Sequence, residues 1–142
     1  MMDHAWKNPA FRKVMTTLRY TIPATKQHPN GLKLRSTLLF YDKDLKFPGG
    51  EIIGGKSGFT PEAGYCLISV ARMKDGHQYM VISAKAEKIE KTLVEEGGSA
   101  TEYGNVLDAK AVYTAIADVK TNRKEAEHTG SAFFIFVIYI HP

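Results

Sequence analysis

Three segments in the middle of the chain constrain the fold most, because each has the length and composition of a β-strand. They are Glu51–Phe59, Gly64–Ala71 and His77–Ala84. The link after the first contains Pro61 and the link after the second contains Asp75-Gly76, and both are turn signals. Links this short join strands that run antiparallel. The sequence therefore predicts an antiparallel sheet at the centre of the fold.

Helical patterns lie on both sides of these strands in the sequence. In His4–Leu18 the apolar residues are spaced three and four positions apart, and Pro9 suits a first helical turn. Val106–Val119 places its apolar residues on one helical face, so a helix there can cover the sheet. Lys85–Glu96 is charged and also helix-prone. The predicted fold class is α+β, an antiparallel β-sheet with covering helices.

Extended structure is predicted for two further segments. Tyr20–Arg35 has short alternations around His28-Pro29-Asn30-Gly31, which is typical of two extended stretches joined by a turn. The apolar run Phe133–Ile140 is far shorter than the roughly 20 residues that a membrane-spanning helix needs, and its composition favours a strand. We therefore expect residues 1–120 to form the main region and residues 121–142 a linker followed by a terminal apolar strand.

Composition narrows the class of protein. The chain has 142 residues, of which 44% are hydrophobic and 24% charged, as in globular domains. Its net charge of +4 is spread along the sequence, so no nucleic-acid partner is predicted. The single Cys66 and five scattered histidines give no spacing typical of metal ligands, and no metal or other cofactor is predicted. The N-terminus has no basic patch followed by an apolar stretch, so it contains no signal peptide pattern.

One segment allows two functional interpretations. Gly50–Ser57 satisfies the phosphate-loop pattern, in which backbone N–H groups bind phosphate at the start of a helix. Gly58 and Pro61 follow where that helix must continue, so no nucleotide partner is predicted. As a strand, the segment places Lys56 and Gly58 on one face and Ser57 and Phe59 on the other. Its glycines allow a ligand backbone to approach closely, which favours a peptide-binding edge.

The same segment also resembles a family signature. Gly54-Gly55-Lys56-Ser57-Gly58-Phe59-Thr60, followed by Ala63-Gly64-Tyr65-Cys66-Leu67, is similar to the third signature of serine-type D-alanyl-D-alanine carboxypeptidases, the low-molecular-weight penicillin-binding proteins. Their usual triplet is Lys-Thr-Gly, and Lys56-Ser57-Gly58 preserves the hydroxyl. Further blocks resemble this family in the same order, and the likeness extends roughly from Lys7 to Ala117. These blocks are Lys7–Val14, Tyr20–Thr25, Pro29–Gly31 and Asp108–Lys110.

The resemblance implies a β-lactamase/transpeptidase-like fold, with residues 1–120 as the C-terminal portion of the catalytic domain. It also implies an acyl-enzyme reaction on peptidoglycan stem peptides during cell-wall maturation, with β-lactams as inhibitors. By resemblance, Lys56 supplies positive potential and the backbone N–H of Phe59 donates to the oxyanion. Ser57, Gly58 and Thr60 then form the substrate-binding part. The full-length protein is expected to be extracytoplasmic and associated with the cell envelope.

Two departures from the family pattern shape the expectation for this chain. The sequence contains neither of the family's other two signatures, Ser-x-x-Lys and Ser-x-Asn. The isolated chain is therefore expected to be an inactive fragment that lacks the nucleophile. Tyr103-Gly104-Asn105 stands where the family usually has an arginine, although Arg72 is a possible substitute. The alternative hypothesis is a non-catalytic module that binds peptidoglycan or protein. Apolar surface exposed by a missing half predicts self-association, with Phe133–Ile140 adding a strand across chains.

Overall fold

The computed structural model describes residues 1–93, 98–122 and 134–140, and it confirms the mixed α+β class. Among these residues no helix combines the length and apolar character needed to cross a membrane. The helices are α1 (Met2–Trp6), α2 (Pro9–Thr16), α3 (Leu38–Tyr41) and α4 (Gly104–Asn122). The strands are β1 (Arg19–Ile22), β2 (Leu32–Arg35), β3 (Lys46–Phe47), β4 (Gly50–Thr60), β5 (Gly64–Met73), β6 (Gln78–Ala86), β7 (Lys88–Leu93), β8 (Gly98–Tyr103) and β9 (Phe134–Ile140).

The main sheet has the strand order β3-β4-β5-β6-β9, and each neighbouring pair is antiparallel. Its long central strands are the three that the sequence predicts. The two-residue β3 pairs only with the start of β4, at Gly50 and Glu51. At the far side, β9 pairs with β6 from Gln78↔Ile140 to Ala84↔Phe134. The terminal strand is therefore confirmed over Phe134–Ile140, where it pairs within its own chain.

Both faces of the main sheet carry a hydrophobic core. On one face, α3 and α4 pack on the strands through a large cluster that includes Leu67, Val81 and Tyr113. On the other face, α1 and α2 pack on a smaller cluster of Trp6, Val70 and Met80. The alternation of side chains along β5 and β6 separates the two clusters. The sheet is thus the middle layer between two helical layers.

The helical pattern of His4–Leu18, predicted to be interrupted or to start near Pro9, forms two helices that are separated just before this proline. The break lies at Asn8, whose side-chain oxygen accepts hydrogen bonds from the N–H groups of Ala10 (2.9 Å) and Phe11 (3.3 Å). An asparagine in this position caps a helix and so begins a new one. Pro9 then occupies the first turn of α2, as predicted.

The prediction of a helix over Lys85–Glu96 is wrong. Lys88–Leu93 forms strand β7, which pairs antiparallel with β8 as a separate two-stranded sheet. Helix propensity is a weak preference, and pairing with a neighbouring strand overrides it. Residues 94–97 lie outside the described residues. The helix predicted over Val106–Val119 is confirmed and extends over Gly104–Asn122, so it includes the first two residues of the segment predicted as a linker. Residues 123–133 lie outside the described residues.

A buried phenol joins α4 to the sheet. Tyr113 is fully buried, and its hydroxyl donates to the carbonyl of Ser69 (2.9 Å) and accepts from the N–H of Val81 (3.1 Å). The Ser69 hydroxyl lies 3.0 Å from the same oxygen, and Phe47 stacks on the Tyr113 ring with a centroid distance of 5.4 Å. Burial raises the pKa of the Tyr113 phenol, so the group stays protonated. One side chain therefore bridges β5 and β6 from the helix.

We expect Tyr113→Phe to lower the free energy of unfolding by about 1–3 kcal/mol, because the buried hydrogen bonds of its hydroxyl with Ser69 and Val81 are lost. Urea denaturation followed by circular dichroism measures this difference. Tyr20→Phe is the matched control, because Tyr20 is 57% exposed and the loss of its hydroxyl group costs little stability. Equal unfolding midpoints for the two variants would contradict the role given to Tyr113.

Candidate functional site

The candidate site follows strand β4, which carries Lys56, Ser57 and Gly58 near an exposed edge of the main sheet. One edge of β4 pairs with β5 along its length, from Gly50↔Met73 to Thr60↔Gly64. The other edge pairs with β3 only at Gly50 and Glu51. Within the described ranges no strand pairs with this outer edge over residues 53–60. The backbone there is open to a further strand.

Lys56 and Ser57 lie on opposite faces of the sheet, as strand alternation predicts. Lys56 is exposed and pairs with Ile68, on the face that α1 and α2 cover. Its ammonium group donates a hydrogen bond to the carbonyl oxygen of Ser57. Ser57 pairs with Leu67, on the face that α3 and α4 cover. A flexible cation therefore stands at the open side of β4, while the serine side chain points into the fold.

The hydroxyl of Ser57 is held inside the structure. Ser57 is only 5% exposed, and its Oγ lies 2.8 Å from the Oγ1 of Thr37, just before α3. Since a hydroxyl has one donor and two acceptor positions, two hydrogen-bonding positions of Ser57 remain after this contact. Binding of a substrate carboxylate by Ser57 stays a prediction, and it requires this hydroxyl to turn toward the edge.

The far end of β4 holds the other two predicted residues. Phe59 is 55% exposed, and its ring lies 4.5 Å from that of Tyr65 between centroids. The Oγ1 of Thr60 accepts a hydrogen bond from the N–H of Ala63 at 3.1 Å. Thr60 therefore stabilises the turn between β4 and β5. A substrate role for Thr60 also stays a prediction.

The glycines of β4 meet different surroundings. A Cβ added at Gly54 would lie 2.3 Å from the carbonyl oxygen of Met15, and one added at Gly55 would lie 2.4 Å from that of Ile68. A Cβ added at Gly58 would meet nothing within 4 Å. Gly54 is therefore needed for the close packing of α2 on the strand. Gly58 leaves bare backbone facing open space.

A cavity of about 570 Å³ lies beside Lys56, between β4, α2 and the β1–β2 hairpin. Cations stand on its wall at Lys13, Arg35 and Lys56. Exposed apolar side chains form another part of the wall, namely Val14, Tyr20 and Leu34. The cavity can therefore hold a ligand with apolar groups and a negative charge.

The position expected to hold an arginine instead carries a buried amide. Asn105 is fully buried, its Nδ2 donates to the carbonyl of Cys66 (3.4 Å), and its Oδ1 accepts from the N–H of Val106 (2.9 Å). These bonds fix the start of α4 against β5. Arg72 pairs with Glu51, near the opposite end of β4 from Gly58. Neither residue brings a free cation to the Ser57 side of the strand.

The phosphate-loop pattern lies in extended structure. Gly50–Ser57 is part of β4, and the strand continues to Thr60 without a helix. A phosphate loop needs backbone N–H groups at the start of a helix, and no helix starts at this segment. In the part of the chain that the structure describes, no group of three or more His, Cys, Asp or Glu side chains is placed to hold a metal ion.

Sequence reasoning missed two parts of this site. Thr37 is 20 residues from Ser57 in the chain, and no local pattern marks it as the partner of that serine. The cavity wall is also non-local, because α2 and the β1–β2 hairpin contribute to it with β4. No local pattern in the sequence marks these segments as neighbours of β4.

Comparisons with known proteins identify no relative. No family model matches the chain, and searches of curated proteins and of solved structures find no similar protein either. The function is therefore argued from the site itself.

Gly54→Ala and Gly58→Ala form a matched pair on one strand. We expect Gly54→Ala to lower the free energy of unfolding by about 1–3 kcal/mol, because its methyl group collides with the α2 backbone. Gly58→Ala should change the stability by less than about 0.5 kcal/mol, since its methyl group points into open space. Urea denaturation of both variants checks this difference. Equal losses would show that α2 does not pack on β4 as described.

Proposed function

We propose that this chain is the C-terminal part of the catalytic domain of a serine-type D-alanyl-D-alanine carboxypeptidase, and that β4 is its substrate strand. The observation that carries the proposal is the open outer edge of β4 beside Lys56 and Gly58. The Lys56-Ser57-Gly58 triplet at this edge is the segment that resembles the family signature. The finer fold assignment, β-lactamase/transpeptidase-like, is part of the same proposal.

An open strand edge binds extended peptides by adding them as a further strand. Backbone hydrogen bonds provide affinity in this arrangement, and nearby pockets select the side chains. Gly58 has no side chain, so a peptide backbone can approach β4 there without displacing an atom. A peptidoglycan stem peptide ending in D-Ala-D-Ala is the substrate that the resemblance indicates.

Lys56 and the end of β4 supply electrostatic assistance in this proposal. The Lys56 ammonium is exposed on the cavity wall and bonds only to a backbone carbonyl of its own strand among its described contacts. It can therefore move toward a carboxylate or a developing oxyanion. A backbone N–H at Phe59 provides a fixed donor for the oxyanion, and fixed donors cost little reorganisation during the reaction.

The nucleophile belongs to a part of the enzyme that this sequence does not contain. In the proposed reaction a serine hydroxyl attacks the peptide carbonyl, D-alanine leaves, and water then hydrolyses the ester. The sequence has no Ser-x-x-Lys to supply that serine. This chain on its own therefore provides substrate contacts and not the covalent step. The whole enzyme would act outside the cytoplasm, on the cell wall.

A non-catalytic binding module is the second candidate, and two observations favour it. Ser57, which is expected to bind the substrate carboxylate, is hydrogen-bonded to Thr37, and Asn105, where the family usually has an arginine, is hydrogen-bonded within the fold. A module of this kind would bind an extended peptide along β4 without selecting D-amino acids at its end. Stereochemical selectivity thus separates the two proposals.

We expect the ¹⁵N-labelled chain to bind diacetyl-Lys-D-Ala-D-Ala weakly, with chemical-shift changes at the amides of residues 56–60. Lys56→Ala should weaken binding about tenfold, because a charge-assisted contact to the carboxylate is lost. Lys74→Ala removes an exposed cation elsewhere and is the control. Intact mass after incubation with a labelled β-lactam should show no adduct.

Three results would decide against the carboxypeptidase assignment. Absent shifts at residues 56–60 would remove the peptide-binding edge. Equal binding of the L-Ala-L-Ala peptide would favour the non-catalytic module. An acyl adduct on a serine of this chain would show that the assignment of the nucleophile to another segment is wrong.

A further inference from the structure

The β1–β2 hairpin is a two-faced ribbon separate from the main sheet. Its register pairs Arg19 with Arg35 and Thr21 with Lys33, so these four side chains share one face, which we call the basic face. The intervening pairs, Tyr20 with Leu34 and Ile22 with Leu32, form the apolar face. All four residues of the basic face are exposed.

The two arginines of the basic face are forced close together. The N–H of Ser36 bonds to the carbonyl of Leu18 at 2.8 Å, which makes Arg19 and Arg35 a non-hydrogen-bonded pair of the ladder. In such pairs the Cα atoms lie about 4.5 Å apart and the side chains are at their closest. Like charges directly opposite each other destabilise a ribbon. The pairing therefore costs free energy unless an anion lies between the two groups.

No carboxylate of the protein neutralises this face in the described part of the chain. The ion pairs Lys7–Asp3 and Lys110–Asp42 lie outside the hairpin, and so does the contact between His77 and Asp75. A concavity of about 510 Å³ lies at this ribbon, and it is lined by the four residues of the basic face together with Tyr20 and Leu34. Three cations without a carboxylate partner among the described residues, Arg19, Lys33 and Arg35, thus line one concave surface.

We propose that the basic face binds the phosphate groups of a linear phosphate polymer. Guanidinium groups hold phosphate oxygens in pairs of parallel hydrogen bonds, and two of them side by side enclose one phosphate. Lys33 lies two residues from Arg35 on the same face, about 6.7 Å along the strand, so it reaches the next phosphate. The hydroxyl of Thr21, opposite Lys33, adds a further donor.

The same geometry disfavours two other anionic partners. The apolar side chains of the ribbon are on the opposite face, so the basic face offers nothing to insert into a lipid bilayer. Single-stranded nucleic acid binds through aromatic rings on which bases stack. The ribbon's single aromatic residue, Tyr20, projects from the opposite face, so one ring beside the concavity is all that the ribbon offers for stacking. A phosphate chain without bases therefore fits this surface best, whatever reaction the main sheet supports.

Titration of the full chain with sodium polyphosphate, followed by isothermal calorimetry at several salt concentrations, tests the proposal. We expect saturable binding that the double variant Arg19→Gln/Arg35→Gln weakens at least about tenfold. The slope of log K against log salt should become shallower by about one in that variant, because the arginine pair holds one phosphate. The control Lys43→Gln/Lys74→Gln removes the same net charge from exposed positions elsewhere and should bind like the original chain.

Folding of the arginine variant is checked by its thermal unfolding, which should match or exceed that of the original chain because repulsion is relieved. Equal weakening in the control would show a net-charge effect and overturn the proposal, as would unchanged binding in the arginine variant. Tighter binding to anionic phospholipid vesicles, or to an oligonucleotide of equal charge, would also overturn it. Inorganic phosphate alone should bind more weakly than the polymer, since it fills only the arginine pair.

Discussion

The hydrogen bonds of the Tyr113 hydroxyl are the constraint on which the layered structure depends. They join α4 to β5 through Ser69 and to β6 through Val81, in the middle of the larger core. A buried polar group must keep its partners, so this helix has one favourable position on the sheet. Fixing β5 also fixes β4, whose inner edge pairs with β5 from end to end.

The asymmetry of β4 follows from this arrangement. Its inner edge is fully paired, whereas its outer edge has a strand partner only at Gly50 and Glu51 among the described residues. Alternation then sends Ser57 toward Thr37 in the core and leaves Lys56 at the cavity. The strand therefore presents an exposed lysine and an edge without a strand partner among the described residues, while its serine is hydrogen-bonded in the core. The proposed binding of an extended, negatively charged peptide end relies on these two features.

The predictable parts of this fold are those that local patterns determine. The three central strands have apolar runs bounded by turn residues, and α4 has a clear helical period, so both were predicted. Strand β7 (Lys88–Leu93) is not predictable in this way, because its charged residues suit a helix or a strand and only pairing with β8 decides between the two. Local pattern likewise located Lys56 and Ser57 on opposite faces of a strand.

Contacts between segments that are distant in the chain could not be predicted from local sequence patterns. The pairing of Thr37 with Ser57 and the wall that α2 gives to the cavity depend on how layers meet. The closeness of Arg19 and Arg35 depends on the register of the hairpin, which the turn at His28–Gly31 did not specify by itself. The hydrogen bond from Asn105 to Cys66 is non-local in the same way, because the two residues lie on different elements.

Hydrogen exchange along β4 tests the open edge most directly, since an amide bonded to β5 is protected and an amide on an unpaired edge is not. We predict alternating protection over residues 53–60 of β4, with the slow amides those that bond to β5. Amides of β5, which has strands on both sides, should all exchange slowly. Uniform protection along β4, equal to that of β5, would mean that another segment or a second copy covers the edge. That result would contradict the account of β4 as a substrate strand.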